Sequence, residues 1–144
     1  MRYNFNDSFG FVVVKTGRLI ENRLKSNFEK EHIDVTPQQW SVLTYLWNED
    51  GISQQKLADA FSKDKTSMTR LLKNMEKSEL IIRNQDKKDK RNKSVFLTYK
   101  AKLIKQDSIK IAEKTLVEVL DGIDHSDVKL SKKVLKQINR NLDK

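Results

Sequence analysis

The sequence predicts an α+β fold that is mostly α, and three observations carry that prediction. One proline and four glycines in 144 residues leave little room for loops. Apolar residues recur at helical spacing along most of the chain. One region departs from that spacing. There, two short apolar runs, Leu80, Ile81, Ile82 and Val95, Phe96, Leu97, are close enough in sequence to pair as a hairpin around a polar loop.

From Asp7 to about Glu31 the apolar positions are Phe9, Val12 or Val13, Leu19 or Ile20, Leu24 and Phe28, a stripe along one long helix. Thr36-Pro37-Gln38-Gln39 is a helix start: Thr36 caps, Pro37 suits the first helical position, and Gln39 can reach back as in a capping box. That helix carries Trp40, Leu43, Leu46 and Trp47 and stops before Gly51. Ser53 caps a short helix with Leu57, Ala58 and Phe61 inward, and Asp64 caps the next, with Met68, Leu71, Leu72 and Met75 inward. After the hairpin, one long helix is expected from Thr98 to about Leu120, with Ile104, Ile111, Leu116 and Val119 or Leu120 inward. Gly122 breaks it, and Asp124 caps a last helix bearing Val128, Leu130 or Ser131, Val134 or Leu135, Ile138 and Leu142. Three short helices followed by a hairpin make a winged helix-turn-helix. With no internal repeat and no linker, residues 1–144 read as one domain. Its winged-helix lobe is 35–100, and the flanking helices, 5–32 and 101–144, have apolar stripes that a second copy of the chain would cover.

The net charge of +9 is unevenly spread. Lys63 to Lys93 holds eleven Lys/Arg against five Asp/Glu, so two thirds of the net charge sits in a fifth of the chain. A local footprint of this kind favours a polyanionic partner. The second helix of the helix-turn-helix can enter the major groove of duplex DNA with its N-terminal half toward the bases. On it, Thr66, Ser67 and Thr69 offer hydrogen bonds to bases or phosphates, and Arg70 can donate to guanine as a fork. Lys65, Lys73 and the cap Ser53 complete that candidate face. In the hairpin loop, Lys87, Lys88, Lys90 and Lys93 are candidate phosphate contacts. Asp89 stands two residues from Arg91, able to hold its guanidinium extended toward a narrow minor groove. The plainer alternative is a solvated helix face and a solvated turn.

These pieces together resemble the MarR family, the multiple-antibiotic-resistance regulator type of bacterial transcription factor. VTPQQWSVLTYL, from Val35 to Leu46, looks like the family's second helix, and ISQQKLADAF, from Ile52 to Phe61, like its third. TSMTRLLKNMEKSELI, from Thr66 to Ile81, is similar to its recognition helix and first wing strand. DKRNKSVFLT, from Asp89 to Thr98, matches its wing signature, with Asp89 and Arg91 at the signature's Asp and Arg. The chain departs at Glu79 and Ala101, where the family usually or often has glycine. A left-handed cap is costly for a residue with a Cβ, so the turn at Glu79 is expected to be strained or different. The resemblance implies a homodimer on a pseudo-palindromic operator, usually repressing transcription. It also implies the option of release by a small, often aromatic or phenolic, ligand where the dimerisation helices meet the DNA-binding lobe. Phe28, Trp40 and Trp47 could line such a pocket, or be ordinary core.

Other classes fit less well. The chain has no cysteine, so disulfides, thiolate metal sites and thiol-based redox sensing are excluded. It shows no glycine-rich phosphate loop, no Ser-His-Asp set and no paired carboxylates, which argues against an enzyme, and no cofactor is expected. His32 and His125 are isolated and read as surface residues rather than ligands or bases. No signal peptide or membrane span is read, so a cytoplasmic protein is expected. A dimerising interaction module that titrates a related regulator, and a nonspecific DNA coat, are the alternatives to an operator reader.

Overall fold

The computed structural model describes residues 3–85 and 93–143. Seven α-helices and a small antiparallel sheet follow in chain order among them: α1 (Phe9–Lys30), α2 (Pro37–Asn48), β1 (Ile52–Ser53), α3 (Gln54–Ala60), α4 (Lys65–Lys77), β2 (Ile81–Gln85), β3 (Lys93–Leu97), α5 (Tyr99–Leu103), α6 (Lys105–Val119) and α7 (His125–Leu142). The expected class holds: helices dominate, and a winged helix-turn-helix forms their centre.

Local chemistry sets most helix starts. The capping box of α2 is complete, with Gln39 N–H donating to Thr36 Oγ1 at 3.1 Å and Thr36 N–H donating to Gln39 Oε1 at 3.1 Å. Ser53 Oγ accepts from Lys56 N–H at 3.1 Å, and Asp64 Oδ1 from Ser67 N–H at 2.8 Å. Two boundaries differ from expectation. The first helix begins at Phe9 under a Ser8 cap, after a short 3-10 turn, Phe5–Asp7. The helix expected from Thr98 to Leu120 is two helices. Thr98 caps α5, and the chain breaks at Ile104, which precedes α6 without a side-chain cap. Asp124 stands at the cap position of α7, but its side chain makes no capping bond there; only its carbonyl accepts, from Asp127 and Val128.

The sheet has the order β1-β3-β2. Register pairs Ile81 with Leu97, Ile82 with Phe96 and Arg83 with Val95, while β1 adds Ile52 opposite Val95. The alternation puts Ile81, Val95 and Leu97 into the core and leaves Ile82 and Phe96 outward. The core itself is Val42, Leu43 and Leu46 of α2, Leu57 of α3, Met68, Leu72 and Met75 of α4, and Phe28 of α1.

Three helices end on the same device. After α1, α3 and α4 the chain turns through a left-handed residue, and none of the three is glycine: His32, Ser62 and Glu79, with φ of 58°, 50° and 60°. At each, two backbone bonds close the end. For α4 they are Glu79 N–H to Glu76 O and Leu80 N–H to Met75 O, both 2.9 Å, with Leu80 and Met75 packed in the core. This is a Schellman cap. Thr98 Oγ1 and Lys100 Nζ secure it further by donating to the carbonyls of Glu79 and Ser78. The left-handed conformation costs a residue with a Cβ about 1–2 kcal/mol. Glycine there also loosens the unfolded chain, so Glu79→Gly should stabilise by a net of about 0.5–1 kcal/mol. Thermal unfolding would show this as a rise of a few degrees; an unchanged or lower Tm would show that the cap carries no strain.

The flanking helices bury little. In α1, Phe28 is buried, while Phe9 and Leu19 are 63% and 58% exposed. In α6 the inward residues are Ser108, Ile111 and Thr115; Leu116, expected inward, is exposed. In α7 no residue is buried, with Leu130, Val134 and Leu135 open to solvent. The apolar stripes read from the sequence exist, but beyond Leu24 and Phe28 of α1 and Ile104 and Ile111 near and on α6, most of their residues do not face this chain's own core.

Candidate nucleic-acid interface

α4 is strongly two-faced. Its apolar side seals the core, and on the other side Lys65, Thr66, Thr69, Arg70 and Lys73 line one shallow groove of about 370 Å³. Lys65, Thr66, Arg70 and Lys73 are exposed and Thr69 half-buried, so five of the residues singled out on this helix come together on one face. Ser67 differs. Its hydroxyl donates to Asp64 Oδ2 at 2.9 Å, and Ser53 is likewise engaged as the cap of α3. Ser67's N–H and hydroxyl both donate to the Asp64 carboxylate and hold its pKa below the ordinary aspartate value. One amide at the start of α4 is therefore already taken by an anionic side chain.

Lys93 opens β3 and is exposed. Lys87, Lys88, Asp89, Lys90 and Arg91 lie outside the described residues.

Arg83 carries no signal that the sequence reading used. It lies on the inward side of β2, in step with Ile81, and its side chain is only 8% exposed. Its Nε donates to Glu76 Oε1 at 2.8 Å, Nη2 donates to the same oxygen, and Nη1 donates to Gln54 Oε1 at 3.1 Å. A single arginine at an inward strand position was the clue available, since such a position demands a partner for the charge. The Arg83 bond holds the Glu76 carboxyl below its ordinary pKa of 4.5. A folded-state pKa below the unfolded one means that this group's contribution is full above about pH 4.5 and is lost as pH falls through the folded value. Glu76→Gln should therefore flatten the acid side of the stability–pH curve; an unaltered acid limb in denaturant titrations would contradict the assignment.

The three aromatics proposed for a pocket separate. Trp40 borders an apolar cleft of about 290 Å³ with Ile20 and Leu24 of α1 and Ile109, Ala112 and Leu116 of α6. Its buried Nε1 has no hydrogen-bond partner among the described residues. Phe28 lies behind it, fully buried, with ring centroids 5.9 Å apart. Trp47 is held elsewhere, its Nε1 donating to the carbonyl of Ala101 at 3.1 Å.

A helix-turn-helix with a basic outward face, backed by a hairpin with more charge, defines a winged-helix DNA-binding protein. Comparison with known proteins makes the class narrower. Residues 35–93 match the model of the MarR family. The chain is 28% identical over 143 residues to the HTH-type transcriptional regulator MgrA of Staphylococcus aureus, spanning 99% of this chain and 90% of that protein. Its fold is similar to a putative MarR family transcriptional regulator from Listeria monocytogenes complexed with 26mer DNA, with a TM-score of 0.79, 26% identity, and 99% and 91% of the two chains covered. CouR from Rhodococcus jostii RHA1, bound to p-coumaroyl-CoA, shares the fold at a TM-score of 0.79 and 18% identity, over 95% of both chains. These matches make the chain similar to MarR-family proteins and support a DNA-binding transcriptional regulator of that kind.

Proposed function

We propose that this chain is a homodimeric repressor that reads a pseudo-palindromic operator and is released by a small ligand. The observation that carries the reading is the groove along α4, where Lys65, Thr66, Thr69, Arg70 and Lys73 share one outward face. Lys87, Lys88, Lys90, Arg91 and Lys93 of the hairpin add contacts to phosphates and the minor groove, with Asp89 orienting Arg91. Residues 35–100 form the reading lobe, and 5–32 with 101–144 form the dimer layer, in a single working unit. The open apolar stripes of α1 and α7 support that layer, because an exposed stripe of this size on a small domain calls for a partner surface. The Listeria relative's complex with DNA supports the duplex as target.

The ligand reading rests on the apolar cleft beside Trp40, whose unpartnered Nε1 offers one donor to an aromatic or phenolic molecule. The ligand that CouR holds is in keeping with that chemistry. No helix among the described residues is long and apolar enough to cross a membrane, and we place the protein in the cytoplasm, with its DNA.

Selection of bound duplexes from a random pool tests the reading. A palindromic motif is expected, with a steep salt dependence, since each neutralised phosphate adds roughly 0.9 to the slope of log K against log salt. A flat salt dependence, or a monomer of 16.9 kDa at micromolar concentration, would overturn it. The first of these outcomes would favour a module that titrates a related regulator.

A further inference from the structure

Arg83 joins three elements through one planar group. Its backbone belongs to β2, and its fork ends on Glu76 of α4 and on Gln54, the first residue of α3. The hairpin already meets α4 at the left-handed residue Glu79, three positions beyond Glu76. The base of the hairpin is also held by the core packing of Ile81, Val95 and Leu97 and by the pairing of β1 with β3; the Arg83 fork adds a directional tie one turn back along α4. The guanidinium is suited to this because its donors are coplanar and rigid, whereas an ammonium is a point charge on a flexible stem. With Arg83 buried and Glu76 partly exposed, the pair is a modest source of net stability, since desolvation of the guanidinium offsets part of its attraction. Three of the guanidinium's five N–H groups bond inside the protein, and Lys65, Thr69 and Lys93 lie around the same cleft of about 300 Å³.

We propose that Arg83 is a positioning residue for DNA reading. Through Glu76 and Gln54 it sets the angle between the hairpin and α4, so that both engage one half-site in register. It touches no DNA itself. This rests on the proposed reading of a sequence-selective duplex binder.

The test compares affinities for the selected operator and for a scrambled duplex of equal length, at several salt concentrations. The native chain is measured first; if it prefers no duplex, the operator reading fails, and this inference with it, before any variant is made. Arg83→Lys retains the charge and loses the fork. It should lower the operator-to-scrambled ratio about tenfold, the scale of one mismatched base pair, while the salt slope on scrambled DNA stays the same. Gln54→Ala leaves the Glu76 pair in place and should produce a smaller fall in the same ratio. A native ratio in Arg83→Lys would overturn the proposal. So would equal losses on both duplexes, the mark of a contact that does not discriminate sequence. Should circular dichroism show Arg83→Lys unfolded, Gln54→Ala decides: a native ratio there overturns the proposal.

Discussion

Phe28→Ala is expected to lower the free energy of unfolding by about 3–5 kcal/mol. The ring is fully buried and stands 5.9 Å from that of Trp40, centroid to centroid. It is also the one buried residue of α1, so it is the main apolar link between that helix and the reading lobe. Truncation leaves a cavity that α1 cannot collapse to fill without giving up its packing on α6. Phe28→Leu retains most of the volume and should lose far less. Chemical denaturation at fixed protein concentration checks both. A loss under about 1 kcal/mol for the alanine variant would mean that the site is not packed as described, since large-to-small changes in tight cores exceed that.

The second large effect is on binding. Arg70→Ala should weaken operator binding by about 1–3 kcal/mol per half-site and relax preference at one or two base positions, if the guanidinium reads a base edge. Its exposed place in the α4 groove means that stability should barely change. Lys88→Ala should instead weaken all sequences alike and shrink the salt slope by about one, as a phosphate contact does. Arg91→Ala should cost most on operators with narrow, A·T-rich flanks, where minor-groove potential is most negative. Binding selections on the three variants separate these roles. The same uniform loss in all three would remove the division into base, phosphate and minor-groove contacts.

What could be read from the sequence was what short-range chemistry decides. Thr36, Gln39, Ser53 and Asp64 announce helix starts because each bonds backbone only three residues away. The strain at Glu79 was legible from the resemblance alone, as a missing glycine, and its φ of 60° bears this out. The break at Ile104 was not legible, because Tyr99–Val119 keeps a helical apolar spacing with no glycine, proline or capping side chain to mark it. β1 was missed because a two-residue strand has no periodicity, and only its pairing with β3 makes it one. Arg83 was missed for a related reason: its partners are 7 and 29 residues away, and nothing local connects them. The outward face of α4 could be read because the same periodicity that places Met68, Leu72 and Met75 inward leaves Arg70 and Lys73 outside.

If a second copy covers the stripe along α1 and α7, as proposed, the folding of this chain is tied to its abundance. On the two-copy reading, unfolding is a dissociation as well as a loss of structure. Each tenfold dilution then removes about 1.4 kcal/mol of apparent stability per dimer. The Tm should drift downward with dilution, and a cell that makes few copies would hold a regulator that is not merely scarce but less durable, copy for copy.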